Sequence, residues 1–381
     1  FYLRGVAPPS VRTIEMYKGV VPFIALQLLA LVIVGAFPPL VNYLPNRSYL
    51  TSDVAPPPKN PRLQACLEDY LFEYYANNET SLRAAIERVK SVDISYLPER
   101  ERKELAESFD KAEATFGLVS AIARADAALA AYEPGYAPLH HTVRELQSKL
   151  QDHDDRIAQL ELTRGRLSRA DGEYADEIAE LEARIATLES EKAELARTLP
   201  ASWDGEHKKY AALARTEKTA RLTYRRNSDA AYSTVIQMLE TLDGANAMAA
   251  LRGRMAGLID EVGARTPEEA IEVLKTIESE LTAAPETSNI RSLLSNARRD
   301  LARSQPRLNS ALEDIAKAVA LYDSELTWRA RAFSELADPL RRYEAEIRDS
   351  IGIREQRKMT DDQATNVSAC LSHHRDISLN F

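Results

Sequence analysis

The chain has 381 residues, of which 28% are charged, and its formal net charge at neutral pH is −9. Ala, Leu, Glu and Arg are abundant, and no run of alternating apolar and polar residues is sustained, so the sequence predicts an all-α protein. The charge is uneven, because residues 1–47 carry +3 and residues 48–381 carry −12. An acidic surface repels phosphate groups, which argues against nucleic acid as a partner.

The first predicted element is a helix that spans a membrane. No charged residue lies between Lys18 and Arg47, residues 20–37 are almost wholly apolar, and residues 40–44 extend the apolar run. A helix needs about 20 apolar residues to cross the hydrocarbon core of a bilayer. We therefore expect residues 20–44 to lie in a lipid bilayer, with Pro38 and Pro39 ending or kinking the helix.

Residues 1–45 also contain three motifs, in the order FYLRGVAPP, IEMYKGVVPF and LVIVGAFPPLVNYLP. Together they resemble the C-terminal end of the large permease subunit (DctM-like) of TRAP transporters, the tripartite ATP-independent periplasmic family. The resemblance implies that residues 1–47 are the last membrane segment of a secondary transporter in the bacterial inner membrane, which takes up a dicarboxylate or a related organic acid. It also implies two partners, a small membrane permease subunit and a periplasmic solute-binding protein. The family's substrate site lies upstream of the matched segment, so no substrate-binding residue is carried over and the remaining chain is not covered.

A second interpretation of this segment stays open. Translation from Met16 would place the basic stretch MYKG before the apolar run, as in an uncleaved signal anchor. The chain would then be a single-pass, membrane-anchored coiled-coil scaffold without transport activity. Basic residues are balanced on the two sides of the span, so they do not fix its orientation. We expect Cys66 and Cys370 to be reduced and unpaired, which together with the resemblance favours a cytoplasmic tail.

The tail is predicted to begin with a Pro-rich linker over residues 48–61 and a small helical module over residues 62–136. Asn60 and Pro61 have the residue types of an N-cap and a first helical position. We expect three helices in the module, the last beginning near Pro98. The motif EPGYAP, residues 133–138, is expected to break the helical structure.

Residues 139–199 have the strongest periodicity in the chain. With Val143 as the first a position, apolar residues occupy most a and d positions of a heptad repeat up to residue 199. This predicts a continuous coiled coil roughly 85 Å long, at 1.5 Å per residue. Arg164 and Asp171 interrupt the seam, which we define as these a and d positions, and each is followed by a glycine. The interruption is a candidate hinge, although we favour its interpretation as a tolerated imperfection of the coiled coil. A parallel dimer would place Arg164 against its own copy, so self-association and antiparallel pairing within the chain both stay open.

The remaining tail is predicted to contain a long return helix over residues 200–264, a helical or coiled-coil region over residues 265–354, and a frayed or disordered end over residues 355–381. Thr266 to Glu269 have the spacing of a capping box. A second heptad run follows Pro306. Arg329 is its one charged seam residue, and Pro339 is expected to kink it.

No motif for catalysis, for a cofactor or for a metal is present in the sequence. It lacks a Gly-rich phosphate loop, a G-x-S-x-G elbow and an H-E-x-x-H pair. His140 and His141 are adjacent, as are His373 and His374, and neighbours in a helix point to different sides. We therefore predict no enzyme, no cofactor and no metal site.

Overall fold

The computed structural model describes residues 13–54, 57–169 and 172–373, and within these residues it contains twelve α-helices and no strand. The all-α prediction is confirmed. The helices are α1 (Thr13–Ala36), α2 (Pro39–Leu50), α3 (Pro61–Lys90), α4 (Glu99–Leu167), α5 (Ala175–Arg197), α6 (Trp203–Asp243), α7 (Ala245–Gly263), α8 (Pro267–Glu280), α9 (Ser288–Leu301), α10 (Leu308–Glu335), α11 (Ala337–Ile347) and α12 (Asp361–His373).

The chain divides into two compact units. Among the described residues, the first unit contains residues 13–116 and 226–373, and the second contains residues 117–225. The boundaries fall inside α4 and α6, so each of these helices contributes to both units.

Helices α7 to α10 form the main apolar core of the first unit. The predicted capping box begins α8, where the Thr266 side chain accepts a hydrogen bond from the Glu269 backbone and the Glu269 carboxylate accepts one from the Thr266 backbone. The next break in the helical structure falls at Ala284 and Pro285. The fully buried core residues include Met248, Met255, Leu258, Leu274, Ile277, Leu281, Leu294, Ile315 and Tyr322.

A disulfide joins the beginning and the end of the first unit. Cys66 in α3 is bonded to Cys370 in α12, with 5.6 Å between their Cα atoms and a sequence separation of 304. The expectation of two unpaired thiols is therefore wrong. Two cysteines so far apart match no sequence pattern, and only the packing of α12 against α3 brings them together.

The prediction of a frayed C-terminal end is wrong for residues 361–373, which form α12. Reciprocal hydrogen bonds between Thr360 and Gln363 cap its start, and the Met359 backbone N–H donates to the Leu50 carbonyl at 3.0 Å. The helix buries mainly small residues such as Ala364 and Ser368 against α2 and α3. Small residues give no strong apolar periodicity, which explains the missed helix. Residues 374–381 lie outside the described residues.

In the second unit, the end of α4 and the whole of α5 form an antiparallel hairpin, so the predicted continuous rod is wrong. Arg164 faces Glu182 at 3.7 Å, His153 faces Glu191 at 4.0 Å, and Lys192 pairs with Asp154. The seam positions themselves were predicted correctly, because each described one from residue 143 to residue 199 is buried or half-buried. The chain reverses direction between Leu167, where α4 ends, and Ala175, where α5 begins, next to the interruption at Arg164 and Asp171.

The predicted break at residues 133–138 is absent, because α4 continues through Pro134 and Pro138. Tyr136 between these prolines stacks on Tyr210 of α6, with ring centroids 4.2 Å apart and an interplanar angle of 10°. Its hydroxyl lies 2.9 Å from Nδ1 of His207. These contacts with α6 hold the stretch in a helical path despite the missing backbone donors.

Three other helix boundaries differ from those expected. The first two helices of the module are one helix, α3. The return helix is divided into α6 and α7 at Gly244, where a Cβ atom would lie only 2.5 Å from Cδ of Pro285. The second heptad run is interrupted at Leu336, between α10 and α11, shortly before the predicted kink at Pro339.

Candidate membrane-anchoring helix

The most unusual surface of the described chain is the apolar surface of α1. No charged residue occurs between Lys18 and Arg47, so helix formation here exposes only apolar or neutral side chains. The exposed fraction of its large apolar residues ranges from 38% for Val20 to 67% for Leu31. The others are Val21, Phe23, Ile24, Leu26, Leu28, Leu29, Val32, Ile33 and Val34. A continuous apolar surface of this kind marks a site of membrane or protein interaction.

The predicted span is not one straight helix. The axes of Val20–Ala36 and Pro39–Leu50 differ by 61°, and the bend falls at Phe37 and Pro38. The Phe37 backbone still donates to the Ile33 carbonyl at 2.8 Å, but Pro38 and Pro39 have no N–H to continue the ladder. The expectation that the proline pair ends or kinks the helix is therefore confirmed.

Helix α2 presents two different faces. Leu40 and Leu44 are exposed by 66% and 65%, and they continue the apolar surface of α1. Tyr43, Arg47 and Leu50 are half-buried or buried on the face that packs against α12. Arg47 lies 3.6 Å from Asp361. Residues 39–50 thus belong to the packed first unit while keeping one apolar face open, so the predicted boundary at residue 47 falls inside a helix.

By length and composition, one described helix, α4, could cross a membrane by itself, and the bent pair α1–α2 could do so if its two parts are joined. The two candidates differ in charge. Helix α4 forms ion pairs, for example between Asp126 and Arg221 at 2.7 Å, whereas α1 has no charged residue from Gly19 onwards. Helix α1 is therefore the better candidate for contact with lipid.

The other candidate residues of the sequence do not form a site. His140 lies against Tyr136 and Trp203, and burial, reinforced by the nearby Arg144, lowers the pKa of its imidazole. His153 faces Glu191 across the hairpin. Within residues 13–54, 57–169 and 172–373, no group of three His, Cys, Asp or Glu side chains is arranged to hold a metal ion.

The chain was compared with known protein families, curated proteins and solved structures. No family model, no curated protein and no solved structure matches it.

Proposed function

We propose that this chain is the C-terminal part of the large permease subunit of a TRAP-type secondary transporter, with α1 as its final membrane helix. In this proposal the transporter takes up a dicarboxylate or a related organic acid across the bacterial inner membrane. The helices after α2 form an extramembrane tail that associates with a partner. The proposal rests on the three motifs of residues 1–45 and on the exposed, uncharged surface of α1. The motif FYLRGVAPP lies outside the described residues.

The dimensions of α1 and α2 support embedding in a bilayer. The uncharged part of α1, residues 19–36, extends about 27 Å at 1.5 Å per residue, close to the thickness of a hydrocarbon core of about 30 Å, and the exposed Leu40 and Leu44 of α2 continue its apolar surface. If α1 crosses the bilayer near its normal, the 61° bend inclines α2 towards the membrane surface. Its open apolar face would then meet lipid, while its other face carries the acidic tail.

Membrane embedding is tested by expressing residues 1–381 alone and extracting the membranes with alkaline carbonate. We expect the unmodified chain to remain in the membrane pellet. The double variant L29R/I33R should move to the supernatant, because an arginine at the centre of a span costs about 3 kcal/mol. A matched control is L162R, since Leu162 is 65% exposed on the hairpin, far along the chain from α1. Equal distribution of all three chains would refute embedding through α1.

Transport is tested by uptake of labelled dicarboxylates into cells that carry the full-length gene with its small permease subunit and solute-binding protein. We expect uptake that disappears when the gene is deleted and returns when it is restored. Failure of restored cells to take up any solute of the organic-acid class would refute the transport proposal. A truncation that removes residues 51–381 then shows whether the tail is needed for translocation or only for association.

The hairpin of α4 and α5 favours the second candidate function, a single-pass anchored scaffold. Its two arms are paired with each other and carry many exposed charged residues, as expected of a rod that holds a partner away from a membrane. The two candidates differ in the protein upstream of Phe1. Several further apolar spans there would support transport, whereas a start codon at Met16 would support the scaffold.

The disulfide changes our expectation of the side of the membrane on which the tail lies. The cytoplasmic tail was expected in part because the cysteines were expected to be unpaired. Since disulfides persist in oxidising compartments, the Cys66–Cys370 bond instead supports a tail in the periplasm. Alkylation of acid-quenched cells followed by non-reducing electrophoresis tests this. Free thiols at both positions in growing cells would refute a periplasmic tail.

A further inference from the structure

One stretch of the second unit, residues 133–138 of α4, is helical against its local preference. Pro134 and Pro138 lack the backbone N–H groups that a helix would use there, and Gly135 between them is a weak helix former. The helix is nevertheless continuous over Glu99–Leu167. Contacts from outside the stretch therefore keep it helical, and loss of these contacts would allow the break that the local sequence favours.

These contacts come from five rings, which we call the ring cluster: Tyr136 and His140 of α4, and Trp203, His207 and Tyr210 of α6. The ring centroid of Tyr136 lies 4.2 Å from that of Tyr210 and 6.0 Å from that of Trp203. His140 lies 5.5 Å from Tyr136 and 6.1 Å from Trp203, measured between ring centroids. Tyr136 and Tyr210 are both buried, so the ring cluster excludes water from the contact between the two helices.

His140 is the member of the ring cluster that is buried and can gain a charge. Its side chain is 7% exposed. The charged or titratable groups that act on it are Arg144 and His141 of α4 and His207 of α6, and each of them is positive or can become so. Burial, followed by the charge of Arg144, lowers the pKa of His140 from its ordinary value near 6.5.

The carboxylates of this region do not compensate a proton on His140, because they face other groups. They are Glu133, which acts on Tyr210, Glu145, which lies 3.8 Å from His141, and Glu206, which accepts hydrogen bonds from Tyr132 and from Lys209. Among the described residues of the second unit, none forms an ion pair with His140. A protonated His140 would therefore be a buried charge without a counter-charge, which is unfavourable.

His207 differs from His140 in both respects. It is exposed, and its Nδ1 lies 2.9 Å from the hydroxyl of Tyr136. This hydroxyl can donate to a neutral imidazole and can accept from a charged one, so the hydrogen bond survives a change of charge. The response to acid therefore depends on His140.

The sign of the effect follows from the lowered pKa. As the pH falls below about 6.5, a form with the ring cluster open takes up a proton at His140 before the closed form does. Acid therefore favours opening, and neutral pH favours the closed cluster.

We propose that His140 makes α4 an acid-sensitive helix. Protonation of its imidazole separates the ring cluster, and α4 then breaks at Pro134 and Pro138, where it lacks backbone donors. The part of α4 that follows the break, together with α5, loses its fixed orientation relative to α6. The proposal does not depend on membrane anchoring or on transport, since every residue that carries it lies in the second unit.

The test is hydrogen exchange of the full chain in detergent at pH 7.5 and pH 5.5, with rates corrected for the intrinsic effect of pH. We expect residues 128–142 to lose protection severalfold and reversibly at pH 5.5, since one proton changes an equilibrium by at most about tenfold per pH unit. The chain has two tryptophans, so W328F leaves Trp203 as the single fluorophore. Its fluorescence should change over the same pH interval as the ring cluster opens.

Variants separate the roles of the histidine and the prolines. H140F keeps a ring and H140Q a smaller polar side chain, and since neither can gain a proton here, both should abolish the response to pH. The matched control H153Q removes another histidine of the second unit and should respond fully. P134A/P138A restores both backbone donors, so residues 128–142 should stay protected at pH 5.5 while Trp203 fluorescence still changes. Circular dichroism at pH 7.5 shows whether each variant retains its helices.

The proposal is overturned if residues 128–142 keep their protection at pH 5.5 in the unmodified chain. It is also overturned if H140F and H140Q respond to pH as the unmodified chain does, if H153Q abolishes the response, or if P134A/P138A loses protection to the same extent. A response that H207Q removes while H140F and H140Q retain it would assign the effect to His207 and would refute the proposal equally.

Discussion

Loss of the Cys66–Cys370 disulfide should destabilise the first unit strongly, because this bond closes most of the chain into one loop. A loop of 304 residues corresponds to about 5–6 kcal/mol in the loop-closure description, while measured disulfides contribute at most about 5 kcal/mol. We therefore expect the double variant C66S/C370S to lose about 2–5 kcal/mol of unfolding free energy. For a unit of this size, each kcal/mol lowers the melting temperature by about 2–4 °C.

The assay is thermal unfolding of the full chain in detergent, followed by circular dichroism and by the fluorescence of its tryptophans. A loss near the middle of the expected range lowers the melting temperature by about 10 °C. Adding a reductant to the unmodified chain should produce the same shift, whereas C66S/C370S should not respond to it. Titration of thiols in the denatured, unreduced chain should find none.

Two results would contradict this reasoning. The first is a pair of titratable thiols in chain purified without reductant, which would mean that α3 and α12 do not form the bond. The second is an unchanged melting temperature in C66S/C370S despite an intact disulfide in the unmodified chain. That outcome would mean that α12 is held by its packing against α2 and by the cap at Thr360 alone.

Other substitutions test particular contacts of the fold. G244A should lower the free energy of unfolding by about 1–3 kcal/mol, because its Cβ would meet Pro285. The Cβ of G257A would meet nothing within 4 Å, so this variant should stabilise α7 by up to about 1 kcal/mol. Chemical denaturation of both variants measures the difference. T266A removes the capping box of α8 and should cost about 1 kcal/mol in the same assay, and no loss would show that the cap is dispensable. Burial raises the pKa of Tyr322 to about 12 from an ordinary value near 10, so the folded chain keeps a proton that the unfolded chain releases. The resulting stability is complete below pH 10 and is lost as the pH rises to 12; Y322F should show a weaker loss of stability over this interval, and an identical pH dependence would contradict the assignment.

Local chemistry made parts of this fold predictable. The residue types at Thr266, Pro267 and Glu269 specify a helix start whatever surrounds them, and the structure has that start. The heptad pattern correctly identified which residues of α4 and α5 face a partner, because a 3.5-residue period defines one helical face. A continuous coiled-coil rod and an antiparallel hairpin have the same 3.5-residue period, so the period does not distinguish between them. The antiparallel direction brings opposite charges such as Arg164 and Glu182 together across the seam.

Other features depend on contacts that no local pattern reports. Pro134 and Pro138 predict a helix break when only the neighbouring residues are considered. The stacking of Tyr136 on α6, which is distant in sequence, keeps this stretch helical. The cap Thr360–Gln363 was visible as a T-x-x-Q spacing, but the apolar face of α12 was too weak to draw attention to it. Arg329 stood out as the one charged seam residue of α10. Its burial is explained by hydrogen bonds to the carbonyls of Pro285 and Glu286, which are distant from it in sequence and adjacent in space.

The hairpin also bears on how assembly responds to the amount of protein. Because the two arms belong to one polypeptide and only seven residues separate Leu167 from Ala175, each arm meets the other at a high effective concentration. Dilution or low expression therefore does not separate the two arms, whereas it does separate the helices of an intermolecular coiled coil. Any oligomer of this chain has to form through outward-facing residues, after the seam has already been satisfied by its own neighbour.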